Sequence, residues 1–377
     1  MSKKSHPFRV LLAPDSFKGS LSAIQFCEIA TQVIQSIQPN AEVISRPMSD
    51  GGEGFVDSFV FAGLAEKQTL WTSNALGRKT KAAFAWQADT QTAIIEMAQA
   101  SGLPQIRQEE RNPLQTHTYG TGQMIQAALD LGAKKIILGL GGSATNDGGA
   151  AALQALGIPF LNAKGKPVGL GGQVLAQITE IGEVPAHLLD IEWQLACDVT
   201  NPLLGDLGAT RIFGPQKGVT EHNFATLENG LANWANLIVA KTGKQIKDVP
   251  GAGAAGGMAA GFIGLLNAHV TPGFDILNTL LKLEPLISAQ HFDYIFTAEG
   301  RMDEQTRFGK LPMRIAELGL KHGVPTIGIC GSLQCSPAEL PEFKALFSIM
   351  NQPMSEMEAF QNTPTLLKDT LNSVIRL

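Results

Sequence analysis

The feature that most constrains the fold is a strand and helix rhythm that both ends of the chain share. Short apolar runs predict strands at residues 8–13, 41–45, 292–297, 326–330 and 345–350. Apolar residues at helical spacing predict helices at residues 22–37, 52–61, 312–322 and 364–376. Strands that alternate with helices at this spacing are typical of a parallel, doubly wound sheet. The two ends are therefore predicted to build one α/β domain together.

The middle of the chain follows a different pattern. Short strands are indicated at residues 68–97, with a turn signal at residues 74–77 between them, and again at residues 158–200 with glycine-rich turns. A buried strand and two helices are indicated at residues 135–140, 120–131 and 221–241. We therefore expect a mixed α/β domain at residues 63–270, inserted into a first domain made of residues 1–62 and 271–377.

Composition limits the classes of partner. Of the 377 residues, 44% are apolar and 17% are charged, which is enough apolar material for a large core and argues against disorder. The net charge of -5 disfavours nucleic acid and anionic membranes as partners. The four cysteines form no CxxC pair of the kind that binds zinc. Residues 1–10 lack the apolar stretch of a signal peptide, and no apolar run reaches the ~20 residues that a membrane span needs. A cytoplasmic protein is expected.

Glycine-rich loops carry the first indication of chemistry. The chain has 40 glycines, more than the typical ~7% of residues, and they cluster with Asp, Asn, Ser and Lys. Glycine lets backbone N–H groups approach anionic oxygens, and carboxylates hold divalent cations. These loops therefore predict phosphate and metal binding.

The loop at residues 13–23 follows the first predicted strand and opens the first helix. Ligands of doubly wound sheets bind at the carboxyl ends of strands, where Asp15, Ser16 and Lys18 would stand. The alternative is a plain turn with a serine as the helix N-cap.

Two further strand-end loops are rich in carboxylates. Asp50 follows the second predicted strand, where it is either a metal ligand or part of a helix-capping arrangement. Glu299, Asp303 and Lys310 follow the predicted strand 292–297, where they either project at the ligand edge or form a charged, solvated loop.

The loop at residues 139–149 is the strongest candidate for phosphate binding. It lies between a strand and a helix, and it contains neither a complete dinucleotide fingerprint nor a Walker A motif. The alternative is a tight turn with an N-capping Asn or Asp. Its candidate ligands are Gly141, Gly142, Ser143, Asn146 and Asp147.

The segment at residues 196–218 combines a carboxylate with further polar groups. Asp198 and Asn201 follow an apolar strand, an arrangement that suits a base and a metal ligand, although Asp198 could instead cap a turn. Gln216 and Lys217 are candidate phosphate contacts.

The segment at residues 250–261 has no charge and no hydroxyl group. Its glycines either cradle phosphate through backbone N–H groups or allow close packing. We expect Gly251, Gly253 and Gly256 to lie near nucleotide and the rest of the segment to pack.

Hydrolase chemistry is disfavoured. The chain contains no GxSxG elbow and no HExxH motif, and none of its seven histidines stands beside a motif carboxylate in a triad-like way.

Taken together, the motifs resemble those of the bacterial glycerate kinase family. The similar blocks occur in the expected order from residue 13 to residue 312, and they are APDSFKGSL, SDGGEG, GGSATNDGG, ACDVTNPL, GPQKG, PGAGAAGG and EGRMDEQT. The chain departs from frequent family residues at Ser49, Phe55 and Leu311, which leaves the fine tuning of the substrate open.

The resemblance implies a fold and a reaction. It implies a flavodoxin-like domain made from both ends of the chain and an inserted mixed α/β domain with a restriction-endonuclease-like topology. It also implies that ATP phosphorylates D-glycerate, a step of organic-acid catabolism, to give 2-phosphoglycerate or 3-phosphoglycerate, of which we favour the 2-phosphate. The other interpretations are a different hydroxy-acid or sugar-acid kinase and a non-catalytic sugar-acid sensor. The sequence leaves the oligomeric state open.

Charge suggests individual roles, since phosphoryl transfer depends on positioning and neutralisation. Asp198 is our first candidate for the base, and Asp15 is the second. Lys18 would neutralise the moving phosphoryl group or the glycerate carboxylate. The loops 141–149 and 251–257 would hold the phosphates of ATP. The candidate ligands of Mg²⁺ are Asp50, Glu299 and Asp303.

Overall fold

The structure is a computed structural model that describes residues 7–49 and 51–376. Its strands are β1 (Arg9–Leu12), β2 (Glu42–Ser45), β3 (Glu66–Ser73), β4 (Lys79–Gln87), β5 (Thr92–Glu96), β6 (Lys135–Gly139), β7 (Phe160–Asn162), β8 (Ile178–Ile181), β9 (Glu192–Ala196), β10 (His269–Thr271), β11 (Tyr294–Met302), β12 (Thr326–Leu333) and β13 (Ala345–Ser348).

The helices alternate with these strands. They are α1 (Ala23–Ile37), α2 (Phe55–Phe61), α3 (Ala98–Ser101), α4 (Tyr119–Asp130), α5 (Ala150–Ala155), α6 (Ala186–Leu189), α7 (Ala209–Phe213), α8 (Glu221–Thr242), α9 (Ala254–Leu266), α10 (Gly273–Leu280), α11 (Leu283–Ala289), α12 (Leu311–His322) and α13 (Glu356–Val374). Short 3-10 helices lie at Leu103–Gln105, Gln108–Glu110, Gly172–Gln177, Pro215–Lys217, Glu304–Phe308 and Pro337–Glu339. No helix of the described residues is long and apolar enough to span a bilayer.

The described chain divides into two compact units. The first unit comprises residues 7–49, 57–64 and 274–376, and the second comprises residues 51–56 and 65–273. Each has a β-sheet with associated helices, and the sheets contain parallel strands, which confirms the predicted α/β class. The predicted domain bounds and the two fold names stay predictions.

The first unit is built on a parallel sheet with the strand order β13-β12-β11-β1-β2. Counted along this unit alone, the order is 2-1-3-4-5, a common doubly wound arrangement. The predicted strands at both ends of the chain are confirmed. Because β1 has the next strand of the chain on one side and β11 on the other, the sheet's switch point lies between β1 and β11.

Helices cover both faces of this sheet. On one face, α1 and α13 pack together over a core that includes Val10, Phe296 and Ile329. On the other face, α12 packs on β11 and β12 through Met313 and Ala316. Alternate strand residues therefore face opposite layers, as the strand period requires.

Helix α13 begins eight residues before the predicted start at Pro364. The side chain of Ser355 caps the helix, since its Oγ accepts the N–H of Glu358 at 3.3 Å and the Glu358 side chain accepts in return. Pro364 lies inside the helix and lacks the N–H that would bond the carbonyl of Phe360. Buried leucines that pack beside α1 hold the helix together across this missing bond.

The second unit is built on a mixed sheet with the order β10-β9-β6-β5-β4-β3. Within this sheet β5, β6, β9 and β10 are parallel, whereas β3, β4 and β5 pair antiparallel. Strands β7 and β8 form a separate antiparallel pair. The predicted turn between β3 and β4 is confirmed, because the Asn74 side chain accepts the N–H groups of Leu76 and Arg78 at 3.0 Å. Aromatic pairs anchor the core, with Trp193 against Phe262 at 5.5 Å between ring centroids.

Residues 51–56 belong to the second unit because their backbone packs on its strand ends. The N–H of Gly141 donates to the Gly51 carbonyl at 3.1 Å. A Cβ at Gly51, whose φ is +101°, would lie 3.0 Å from the Ala196 carbonyl at the end of β9. Glycine is therefore needed there on both conformational and steric grounds.

Candidate functional site

A pocket of about 620 Å³ opens at the carboxyl ends of the parallel strands of the first unit. We call it the strand-end pocket. Its lining comes from the ends of β11 and β12, from the loops that follow β1, β11, β12 and β13, and from helix α13. The described residues that line it are Ser16, Phe17, Lys18, Ser20, Glu299, Gly300, Arg301, Lys310, Gly331, Ser332, Gln334, Ile349, Met350, Met354, Glu356, Ala359, Phe360 and Thr363.

A network of charges lies at the β11 side of the strand-end pocket. The Nζ of Lys310 lies 3.1 Å from Glu299 Oε1 and 3.5 Å from Asp303 Oδ1. The Nε of Arg301 lies 3.0 Å from Asp303 Oδ2. These groups meet because β11 ends at Met302 and the following 3-10 turn brings the chain back toward the same edge. The predicted set of Glu299, Asp303 and Lys310 is therefore brought together.

The carboxyl group of Glu299 has a shifted pKa. Desolvation raises the pKa of its carboxyl above the usual value, and the nearby ammonium groups of Lys310 and Lys18 oppose that rise. Its buried Oε2 has no hydrogen-bond partner among the described residues. A buried carboxylate oxygen without a donor is an apt position for a cation.

The first loop lies beside this network. The N–H of Asp15 donates to the Ala298 carbonyl at 2.9 Å, which ties the loop to β11. Asp15 is buried, and its Oδ1 accepts the N–H of Ser16 at 2.6 Å. Lys18 is exposed in the wall of the strand-end pocket. The loop after β1 and the end of β11, almost 300 residues apart in sequence, therefore lie together at the carboxyl edge of the sheet.

The residues of this network suit Mg²⁺. Magnesium is usually held by one or two carboxylates together with substrate phosphates, rather than by a complete protein cage. Glu299 and Asp303 both lie within 3.5 Å of one ammonium group, and the described residues contain no cluster of three or more possible metal ligands. The remaining predicted ligand, Asp50, lies outside the described residues.

In the second unit, the loop at residues 139–149 is largely buried. We call it the glycine-rich loop. It follows β6 and leads into α5, as predicted. Gly142 is exposed and Gly141 is half-buried, whereas Ser143, Asn146 and Asp147 are buried. Only the start of the loop therefore offers backbone to a ligand.

Asp147 supports the fold around the glycine-rich loop. Its Oδ2 accepts the N–H and the hydroxyl of Thr118, each at 2.8 Å, and its Oδ1 accepts the N–H of Gly149 at 3.2 Å. Thr118 is the N-cap of α4, so the carboxylate lies at the positive end of a helix. Burial nevertheless raises the pKa of Asp147, and it lowers the pKa of the neighbouring His117.

Lys217 is a buried lysine that forms hydrogen bonds inside the second unit, and it is not an exposed cation. It is 2% exposed, and its Nζ donates to Ser143 Oγ at 2.7 Å and to the Thr145 carbonyl at 2.8 Å. Burial lowers the pKa of its ammonium group to about 7, against an opposing effect of Asp147. The side chain joins a 3-10 turn to the glycine-rich loop across 74 residues of sequence.

The glycine segment 251–257 packs on the same loop. Ala255, Gly256 and Gly257 have left-handed backbone with φ of +54°, +66° and +83°, ahead of the regular part of α9. The Gly148 N–H donates to the Gly256 carbonyl at 3.0 Å, and the Gly253 N–H donates to the Asn201 carbonyl at 3.0 Å. Gly253 and Gly256 therefore allow the backbone of this segment to pack closely on neighbouring backbone.

The other predicted residues of this unit lie at the surface or in turns. Asp198 is exposed, and its Oδ1 accepts the N–H of Gly273 at 3.0 Å. Asn201 donates from Nδ2 to the Leu207 carbonyl at 2.8 Å, which closes a turn. Gln216 is exposed, and Gly251 has a φ of +84° beside the Val199 carbonyl.

Sequence reasoning missed several neighbours of these groups. Thr118 and His117 precede α4 and carried no motif signal, although a threonine before a helix is a typical N-cap. Phe360 and Arg301 line the strand-end pocket, and neither stood out because single aromatic and basic residues are common in helices and loops.

Comparison with known proteins assigns the family. The sequence profile described as the glycerate kinase family matches residues 10–377. The chain belongs to the glycerate kinase family. It is therefore a kinase, as the sequence motifs predicted.

Individual similar proteins support the assignment. A glycerate kinase of Halalkalibacterium halodurans is 41% identical over 369 residues, which cover 97% of each chain. A glycerate 2-kinase of Escherichia coli strain K12 is 42% identical over 357 residues, which cover 94% of this chain and 93% of the relative. The crystal structure of a "putative glycerate kinase 2" from Salmonella typhimurium LT2 matches with a TM-score of 0.86 at 36% identity, over 98% of both chains.

Proposed function

We propose that this kinase transfers the terminal phosphoryl group of ATP to D-glycerate and forms 2-phosphoglycerate. The observation that carries the proposal is the charged network at the strand ends of the first unit, where Lys310 joins Glu299 and Asp303 beside Lys18. Phosphoryl transfer needs cations and a metal ion more than it needs covalent chemistry. The membership in the glycerate kinase family supports the choice of acceptor.

Glu299 and Asp303 are the residues proposed to hold Mg²⁺. The ion would supply charge neutralisation for the anionic phosphates. Asp50 remains a further proposed ligand. Lys18 is exposed in the pocket wall and is proposed to bind the moving phosphoryl group or the glycerate carboxylate. The positive charge of Lys310 opposes the rise that burial causes in the pKa of Glu299.

Asp198 is proposed as the base that accepts the proton of the glycerate hydroxyl group. Its side chain is exposed, and its Oδ1 accepts the N–H of Gly273 at 3.0 Å, which holds the carboxylate in place at the surface. Asp15 is the second candidate, although its Oδ1 already accepts the N–H of Ser16.

Phosphate binding by the second unit is proposed for the exposed start of the glycine-rich loop. The backbone of Gly141 and Gly142 is accessible there. The buried members of the predicted set would act by holding this loop in shape, and they are Ser143, Asn146, Asp147, Lys217, Gly251, Gly253 and Gly256. The half-buried Asn201 would support it through the turn that its side chain closes. Ser16 and Gln216 stay proposed ligand contacts.

The 2-phosphate is proposed because the relative from Escherichia coli, 42% identical, is named a glycerate 2-kinase. The test incubates the purified protein with ATP, Mg²⁺ and D-glycerate, and measures ADP and the product isomer. Enolase without added mutase should give an immediate signal, and phosphorus NMR should show the 2-phosphate. A strict need for mutase would instead indicate the 3-phosphate.

The same assay separates the alternatives. Faster ADP formation with another hydroxy acid or sugar acid than with D-glycerate would assign a different acceptor. Binding of such acids without any ADP formation would indicate a sensor rather than an enzyme.

A further inference from the structure

We infer that the strand-end pocket of the first unit binds the nucleoside part of ATP, with the ring of Phe360 stacked on the base. The inference rests on the proposed use of ATP, and it adds a site for which the sequence motifs gave no candidate. The glycine loops were considered only for the phosphates. Four observations carry it: the size of the pocket, its lining, the placement of Phe360 and the topology of the sheet.

The volume of the pocket exceeds what glycerate needs. About 620 Å³ lies within the range of pockets that enclose drug-sized ligands, roughly 300–1,000 Å³. A three-carbon acid would leave most of this space to water. A nucleotide is the other substrate of the proposed reaction, and its size fits the pocket.

One wall of the pocket is charged and the other is mainly apolar. Strand ends and their loops supply three cations against one carboxylate, namely Lys18, Arg301, Lys310 and Glu299. The loop after β13 and helix α13 supply apolar side chains, together with the exposed carboxylate of Glu356. These apolar side chains are Ile349, Met350, Met354, Ala359 and Phe360. A ligand with one flat, apolar end and one polyanionic end matches both walls, whereas glycerate has no apolar end.

Phe360 occupies a position that suits base stacking. Its side chain lines the pocket and yet is 44% exposed, so an aromatic surface remains open to a ligand. A Cβ built at Gly19 would lie 3.5 Å from Cε2 of this ring, which places the ring edge against the first loop. Stacking between a base and an aromatic side chain is favourable and tolerant of the base's identity.

The sheet topology independently favours this place. Ligands of open parallel sheets bind outside the carboxyl ends of the strands, at the switch point. The switch point between β1 and β11 is flanked by the loop that carries Lys18 and by the end of β11, which carries Glu299. Gly331 lets the end of β12 approach closely, because any side chain there would collide with the Gly300 carbonyl of β11.

The test compares three variants of the full-length protein with wild type. Phe360→Ala should raise the KM for ATP by about tenfold, the effect expected from losing one stacked base, while the KM for glycerate stays within about twofold. Phe360→Tyr should restore the KM for ATP. The matched control is Met357→Ala, which removes an exposed apolar side chain, 72% accessible, from the same helix outside the pocket lining and should change neither KM.

A binding measurement complements the kinetics. The chain's tryptophans all belong to the second unit, so Phe360→Trp adds a reporter to the first. Its added fluorescence should change on titration with ADP and stay constant with glycerate alone. The pocket assignment is wrong if the wild type forms ADP but two results hold. These are a wild-type KM for ATP in Phe360→Ala and an added fluorescence of Phe360→Trp that does not change with ADP. If wild type forms no ADP, the proposed function itself fails.

Discussion

The buried Lys217 shows how its surroundings decide the role of a single residue. From sequence it is one lysine among many, in a loop predicted to contact phosphate. In the structure its ammonium group donates to Ser143 and Thr145 inside the protein. A buried lysine costs desolvation energy, which its hydrogen bonds and the nearby Asp147 offset only in part.

The lowered pKa of Lys217, about 7, predicts a pH-dependent stability. Between about pH 7 and pH 10 the unfolded chain keeps this proton and the folded protein has released it, so the free energy of unfolding rises with pH. We expect the wild type to gain about 2 kcal/mol from pH 7 to pH 9 relative to Lys217→Met. Urea unfolding at both pH values measures this difference.

The control for this prediction is the exposed Lys164→Met, which also removes one positive charge. Its unfolding free energy should follow that of the wild type across the same pH range. Parallel pH dependences for wild type and Lys217→Met would show that Lys217 does not titrate in this range.

A second prediction at the residue scale concerns Asp198. Because it is exposed, Asp198→Asn should fold normally, and the amide oxygen can still accept the Gly273 N–H. The loss of a general base should lower kcat by roughly 10²–10⁴. Steady-state kinetics and circular dichroism measure both effects, with the nearby exposed Asp206→Asn as the control. Near-normal turnover would transfer the role of base to Asp15.

At the scale of elements, the start of α9 has left-handed backbone that its sequence makes possible. Three consecutive residues with positive φ would strain most side chains, and two of the three are glycines. This conformation lets Gly256 lie against the backbone of Thr145 and Asn146 in the glycine-rich loop. The segment therefore supports the shape of that loop through contact of backbone with backbone.

Two glycines with the same φ allow the cost of backbone strain to be measured separately from the cost of a steric collision. Gly165 and Gly256 both have a φ of +66°, but a Cβ at Gly165 would meet nothing within 4 Å, whereas one at Gly256 would collide with the Thr145 carbonyl. Gly165→Ala should cost about 1–2 kcal/mol from backbone strain alone. Gly256→Ala should cost at least about 2 kcal/mol more. Thermal unfolding compares them, and equal losses would contradict the close approach.

At the scale of the whole molecule, the complete reaction should depend on a divalent cation. Excess chelator should abolish ADP formation, and added Mg²⁺ should restore it, because the metal ion would neutralise the anionic phosphates of ATP. Glu299→Gln should weaken the apparent affinity for Mg²⁺ in the same assay. Full turnover in excess chelator would overturn the assignment of a metal to Glu299 and Asp303.

Local sequence patterns determined the elements and the motif loops. The strand and helix rhythm of both ends and the turn at Asn74 depend on neighbouring residues, so periodicity and turn chemistry reveal them. The start of α13 escaped prediction because its Ser355 cap and its packing on α1 outweigh the helix-breaking tendency of Pro364.

Tertiary structure alone decided which polar groups are buried and which meet. Lys217 and Ser143 are 74 residues apart, and Lys18 joins Glu299 only because β1 pairs with β11. Such contacts depend on how the sheets assemble, and no local pattern encodes them. The sequence therefore identifies Lys217 and Lys18 as candidate ligands. Only the folded chain shows that Lys217 is buried and hydrogen-bonded, whereas Lys18 lines an open pocket.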